Sequence, residues 1–213
     1  MAVTFHEAWK PAAFDDSLHR RMGASYATNT FFVVRTALRR EMLLALMRLW
    51  DTKPRAIRMD SIAVTLSNKQ VIDALAADRA TRIGLPESED QMRTELGQRA
   101  DAAIKLVRKY SEGGSHAAVR HKLKKLRNEH LAHRQTDDSV VAEADPTAIE
   151  IESFYQDMSK LISLLLGLMG IAYDPEETGE VYRHYAKFFW ASVRGERTEG
   201  HPNYRTPCAT HNT

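Results

Sequence analysis

Residues 147–169 read TAIEIESFYQDMSKLISLLLGLM. The apolar side chains of this stretch recur at intervals of three and four residues, which places them on one face of an α-helix. They are Ile151, Phe154, Tyr155, Met158, Leu161, Ile162, Leu165, Leu168 and Met169. An apolar face this broad predicts a helix that packs at the centre of a helical bundle.

The same spacing continues on both sides of this stretch. It predicts helices over residues 25–50, 86–110, 116–133 and 174–190, a short helix from residue 61 capped by Asp60, and another to residue 77 capped by Ser67 or Asn68. The apolar side of the last helix consists of Val181, Tyr182, Tyr185, Phe188 and Phe189. Because no strand pattern exceeds a few residues, we predict an all-α helical bundle with short connections. It forms one domain over residues 1–195, followed by a flexible polar tail over 196–213.

Composition excludes several classes of protein. The 213 residues carry a net charge of +2, so the overall charge indicates no class of partner. One cysteine, Cys208, excludes an internal disulfide framework and a Cys-rich metal site. The longest apolar run, residues 161–173, is shorter than the ~20 residues that span a bilayer, and the N-terminal residues lack the apolar core of a signal peptide. We expect a cytoplasmic protein that has no membrane partner and needs no cofactor.

Charge is sorted along the chain. Residues 105–134 contain nine Lys or Arg and two acidic residues, a net +7, whereas residues 135–159 contain seven acidic residues and no basic one. Two interpretations remain open. The segments form two solvent-exposed surfaces that pair with one another, or the first is a basic strip that attracts phosphate groups.

The predicted helix over 116–133 places histidines beside arginines. Its packing face begins with aliphatic residues and ends with imidazoles, and consists of Val119, Leu123, Leu126, His130 and His133. The neighbouring row is mostly cationic and consists of Arg120, Lys124, Arg127, Leu131 and Arg134. The histidines are either hydrogen-bonded core or interface residues, or groups that exchange protons at a cleft. A zinc site with His121 or Glu129 is disfavoured, because Glu129 points away from the histidines and adjacent cations repel a divalent metal.

Residues 126–134, LRNEHLAHR, resemble the Arg-(Asn/Asp/His)-x(3–5)-His signature of the HEPN superfamily (higher eukaryotes and prokaryotes nucleotide-binding). The closest form occurs in bacterial abortive-infection proteins, where an Arg-Asn pair precedes an Ala-His dipeptide. The resemblance implies that Arg127 and His133 are catalytic and that Asn128 is the polar neighbour of the arginine. His130 has no fixed counterpart in the signature and is an auxiliary candidate at most. The cationic row adds candidates for RNA binding, namely Arg120, Lys124 and Arg134.

The resemblance also implies a function. Active HEPN proteins are typically metal-independent endoribonucleases that act as homodimers with a shared cleft, and many form toxin–antitoxin or phage-defence systems. We therefore expect an RNase that cleaves RNA by attack of the 2′-hydroxyl, with an antitoxin protein as a possible partner. The alternative is a non-catalytic HEPN-like dimer that binds nucleotide, RNA or a protein, because a fold does not settle a function.

Overall fold

The computed structural model describes residues 1–51, 58–131 and 145–204, apart from the side chains of 129–131. These residues form nine α-helices and no strand, so the all-α prediction is confirmed for them. The helices are α1 Ala2–Phe14, α2 Asp16–Met22, α3 Tyr26–Met47, α4 Met59–Leu66, α5 Lys69–Arg82, α6 Glu89–Tyr110, α7 Ala117–Leu131, α8 Ala148–Leu168 and α9 Pro175–Ser192. None of the helices so described is both long enough and apolar enough to cross a bilayer.

The chain divides into two compact units. The first unit combines the N-terminal segment Met1–Met42 with the C-terminal segment Glu176–Thr213, and the second is Leu43–Pro175. Within the first unit, the amide of Tyr26 donates to the carbonyl of Glu199 at 3.2 Å. The single domain over 1–195 and the flexible tail over 196–213 stay predictions, and residues 205–213 lie outside the described part.

The first unit has a small apolar core. Among the described residues, one cluster of this core consists of six buried residues, namely Ala12, Leu18, Met22, Phe31, Ala186 and Trp190. A buried carboxylate, that of Glu7, accompanies the core. Its Oε2 atom accepts a hydrogen bond from Arg183 Nε at 3.0 Å, and its Oε1 atom is hydrogen-bonded to His6 Nδ1 at 3.0 Å. Burial raises the pKa of Glu7, but these bonds outweigh it and hold the pKa below its ordinary value of 4.5. Because Trp190 Nε1 also donates to the carbonyl of Ala8 at 2.8 Å, α1 and α9 are joined by both polar and apolar contacts.

Helix α9 has the predicted position but not the predicted packing face. Its buried residues are Gly179, Ala186 and Trp190. The five apolar residues expected to pack are exposed, with Val181, Tyr182, Tyr185, Phe188 and Phe189 between 36% and 63% accessible. The expectation was wrong because small residues at positions 179 and 186 let the helix approach its neighbours closely, and spacing alone does not rank a glycine as a packing residue.

In the second unit, α6 rather than α8 is the central helix. Helix α6 packs against α4, α5, α7 and α8. Two buried alanines, Ala100 and Ala103, let neighbouring helices approach α6 closely. Helix α8 is buried as predicted along most of its apolar face, although Met169 at its end is 67% exposed. Because α6 has few apolar residues along its packing face, the sequence did not indicate that it is the central helix.

Of the two predicted helix caps, one is confirmed and one is wrong, and α8 has a cap that was not predicted. Asn68 Oδ1 accepts from the amide of Gln70 at 3.0 Å and caps α5. Thr147 and Glu150 form a reciprocal capping box at the start of α8, with Thr147 Oγ1 accepting from the Glu150 amide at 3.1 Å. Asp60 does not cap α4, because the helix begins at Met59, two residues before the predicted start, so that Asp60 lies inside it. The Asp60 carboxylate accepts from the Ser111 hydroxyl instead.

Replacing Thr147 by alanine is expected to lower the free energy of unfolding by about 1 kcal/mol, because an amide in the first turn of α8 loses its acceptor. Urea denaturation measures this change. Thr147→Ser is the matched control, since it keeps the hydroxyl and should retain nearly all of the stability. An alanine variant as stable as the serine variant would contradict the capping role.

Candidate functional site

Helix α7 carries the described part of the predicted site. Its aliphatic face is buried as expected, with Leu123 fully buried and Leu126 4% exposed. These two residues hold α7 in place, and the helix packs against α6. The helical prediction for residues 116–133 is confirmed between Ala117 and Leu131. Of the cationic row, Lys124 is exposed and Arg127 is half-buried, whereas the side chain of Arg120 is only slightly exposed.

Arg127 and Asn128 contact each other directly. The Nε and Nη2 atoms of Arg127 donate to Asn128 Oδ1 at 3.2 and 3.1 Å. Asn128 is exposed and Arg127 is half-buried. The amide oxygen holds the edge of the guanidinium formed by Nε and Nη2, and the Nη1 group takes no part in this contact. The arginine is thus oriented by its neighbour, while the catalytic roles of both residues stay predictions.

The histidines cannot be placed in the same way. His133 and Arg134 lie outside the described residues, as does the side chain of His130. The backbone of His130 belongs to α7. The proposed pairing of arginine and imidazole therefore stays a prediction.

The two remaining cationic candidates differ in their surroundings. Arg120 is only 13% exposed, its Nη2 atom donates to Glu112 at 3.0 Å, and its guanidinium lies 5.4 Å from the ring centroid of Trp50. These contacts hold Arg120 within its own chain. Lys124 is exposed on α7. Spacing along one helix did not reveal the Trp50 contact, because the two residues are distant in sequence. Binding of RNA by Arg120 and Lys124 stays a prediction.

Part of the basic segment is neutralised by the acidic one. Lys122 Nζ lies 3.0 Å from Glu150 Oε1, and Lys109 Nζ pairs with Asp157. Tyr110 Oη also donates to Asp157 at 2.7 Å. Burial, and then this carboxylate, raise the pKa of Tyr110 well above its ordinary value. Pairing between the two charged segments is therefore present at α8, whereas the acidic residues at 137, 138 and 143 lie outside the described residues.

We expect the contribution of Glu150 to stability to depend on pH. The Thr147 amide and then Lys122 lower the pKa of Glu150 from 4.5. Because the pKa of Glu150 is lower in the folded state, the ionised carboxylate stabilises the protein above pH 4.5. This stabilisation is lost as the pH falls through the pKa of the folded state. Glu150→Gln keeps a side-chain acceptor at the capping position but has no charge. The stability difference from the unchanged protein, measured by urea denaturation, should be largest near neutral pH. A difference independent of pH would contradict the ionic role.

The described side chains form no metal site. No three His, Cys, Asp or Glu side chains converge among them. His121, considered above as a ligand, has its Nε2 atom 3.1 Å from Glu112 Oε2. The described side chains of α7 therefore include guanidinium, amide, ammonium and imidazole groups.

Comparison with known proteins gives a family. No curated protein and no solved structure matches the chain. The family model of the HEPN proteins described as AbiU2 matches residues 1–189, which is most of the chain. This family lies in the abortive-infection branch of the HEPN superfamily, whose members are of nucleotide-binding or ribonuclease type. The chain, with its all-α fold and its Arg-Asn pair on a basic helix, belongs to the AbiU2 family of HEPN proteins.

Proposed function

We propose that this protein is a metal-independent endoribonuclease of toxin or phage-defence type. The observation that carries the proposal is the Arg127–Asn128 contact on α7, in a chain that belongs to the HEPN superfamily. An arginine that recognises phosphate gains from being held in one orientation, since its planar guanidinium binds two oxygens at once. The amide of Asn128 supplies that restraint.

The reaction needs three functions from the protein. A base takes the proton of the ribose 2′-hydroxyl as this oxygen attacks the adjacent phosphorus, and an acid protonates the departing 5′-oxygen. Imidazole serves both purposes near neutral pH, each typically worth about 10²–10⁴-fold in rate. In the proposal, His133 of one protomer is the base and the same histidine of a second protomer is the acid. The Arg127 guanidinium stabilises the negative charge that develops on the phosphoryl oxygens.

A shared cleft requires a dimer, and α9 offers an apolar surface for one. Its exposed side includes Tyr185, Phe188 and Phe189, each more than half accessible. Exposed aromatic residues that lie together on one helix are typical of surfaces that a partner covers. The proposal assigns this surface to a second copy of the chain, and sedimentation of the purified protein would test the assignment.

Expression of the protein in bacteria tests the proposal in cells. The unchanged protein is expected to arrest growth with loss of cellular RNA, and Arg127→Ala is expected to relieve the arrest. Lys160→Ala is the matched control, because Lys160 is an exposed cation on α8 and lies outside the motif. Arrest that persists in the Arg127→Ala strain at equal protein level would contradict the enzyme. Intact RNA that stays bound to the protein would favour the non-catalytic binding protein instead.

A further inference from the structure

A cleft of about 690 Å³ lies in the second unit, between α5, α6 and the C-terminal end of α8. Three arginines line it, with Arg79 and Arg82 on α5 and Arg99 on α6. Asp78 is the single carboxylate among the described residues that line it. The cleft therefore holds an excess of positive charge, and its lining includes no residue from the described part of the motif on α7.

Two of these arginines meet at Gly167, in the last turn of α8. Arg79 Nη2 donates to the carbonyl oxygens of Gly167 and Leu168 at 2.7 and 3.1 Å. Arg99 packs against the same glycine, because a Cβ atom added at Gly167 would be 2.5 Å from Arg99 Nη1. Arg79 satisfies the carbonyls that a helix leaves open at its C-terminus. Arg99 has no such acceptor among the described residues, so its guanidinium is available to a ligand.

The third arginine is only weakly neutralised. Arg82 Nη2 pairs with Asp78 at 2.9 Å, and the two side chains are 72% and 53% exposed. An ion pair as exposed as this contributes about 0–1 kcal/mol, so a stronger acceptor can replace the carboxylate. Arg82 can therefore join Arg99 in binding an anion.

Part of the cleft lining is apolar. Ile83, Met169 and Ile171 line it and are 49%, 67% and 47% exposed. Apolar side chains left this accessible beside guanidinium groups fit a ligand that is anionic at one end and apolar at the other. The volume also lies within the range of about 300–1,000 Å³ that is usual for small-molecule sites.

We propose that this cleft binds a phosphate monoester with an apolar body. The phosphate accepts hydrogen bonds from Arg99 and Arg82, whose planar groups match its oxygens. The apolar body lies on Ile83, Met169 and Ile171. Arg79 remains on the helix carbonyls and adds positive charge to the cleft.

The experiment titrates phenyl phosphate, inorganic phosphate, phenol and benzoate separately into the isotope-labelled full chain, with detection by nuclear magnetic resonance. Phenyl phosphate is expected to shift the amide signals of Gly167 and Gly170, and to bind at least about tenfold more tightly than the other three. Arg99→Ala should weaken its binding by about tenfold or more, the size expected for a lost charged hydrogen bond. Lys105→Ala is the control, because it removes an exposed cation from the same helix outside the cleft.

Three results would overturn the proposal: unshifted signals of Gly167 and Gly170, equal affinity for benzoate, and unchanged affinity in Arg99→Ala. If Arg99→Ala unfolds, Arg82→Ala provides the same comparison, because its side chain is largely exposed. The readout is binding in the absence of RNA. A negative binding result therefore does not contradict the proposed ribonuclease activity. An absence of ribonuclease activity likewise does not contradict binding in the cleft.

Discussion

Replacing His133 by alanine is expected to slow RNA cleavage by about 10²–10⁴-fold, the range for loss of a general acid or base. The expected loss is largest if the residue acts once in each protomer, since one substitution then removes both the base and the acid from the shared cleft. Single-turnover cleavage of a labelled RNA measures the effect. Because the change concerns the chemical step, the rate constant should fall much more than the affinity for RNA.

His121→Ala provides the matched control for this prediction. His121 lies on the same helix, is exposed, and pairs with Glu112 at the surface. Its removal should leave the cleavage rate nearly unchanged, because His121 lies outside the motif. The fold should also be retained, since an exposed ion pair contributes little to stability. If the two histidine variants cleave at the same rate as the unchanged protein, His133 is not catalytic.

Replacing Phe154 by alanine is expected to lower the free energy of unfolding by about 3–5 kcal/mol. The Phe154 side chain is fully buried on α8, and its ring lies edge-on to Tyr110 with centroids 5.0 Å apart. The substitution removes this contact and leaves a cavity between α8 and α6. Denaturation in urea measures the loss, which is a large share of the stability of an ordinary domain.

Ile149→Ala on the same helix is the control for Phe154→Ala. Ile149 is 78% exposed, so its truncation should change stability by less than about 0.5 kcal/mol. A small loss for Phe154→Ala, similar to that of the control, would contradict the packing of α8 on α6.

The helices after residue 25 could be predicted from apolar spacing and caps, whereas the two before it could not. The prediction for residues 174–190 agrees with α9, and that for 25–50 agrees with α3 and the 3₁₀ turn that follows it. Helices α1 and α2 were missed, since no helix was assigned before residue 25. Pro11 lies inside α1, and a proline normally argues against a helix interior. The signal for α2 was Asp15, whose carboxylate accepts from the amide of Leu18.

The choice of packing face depends on tertiary structure. The buried face of α9 includes Gly179 and Ala186, which a hydrophobicity pattern undervalues. The same reason explains the central position of α6, where Ala100 and Ala103 are buried. Close approach of helices depends on small side chains, and this is visible only when the partner helix is known.

The candidate site shows the same division between local and distant contacts. The Arg127–Asn128 contact joins adjacent residues and could be anticipated from the motif. The contact of Arg120 with Trp50 joins residues far apart in sequence and could not. Of the two interpretations left open for the sorted charges, pairing is observed at Lys109 and Lys122, and their partners became known only from the packing of α8.

The proposed cleavage reaction is tested most directly by incubating the purified protein with mixed RNA in excess EDTA. The cut ends are then identified. The unchanged protein is predicted to produce 2′,3′-cyclic phosphate and 5′-hydroxyl ends, whereas Arg127→Ala leaves the RNA intact. Cleavage that EDTA abolishes, or cleavage at the same rate in Arg127→Ala, would contradict a metal-independent reaction that depends on this arginine.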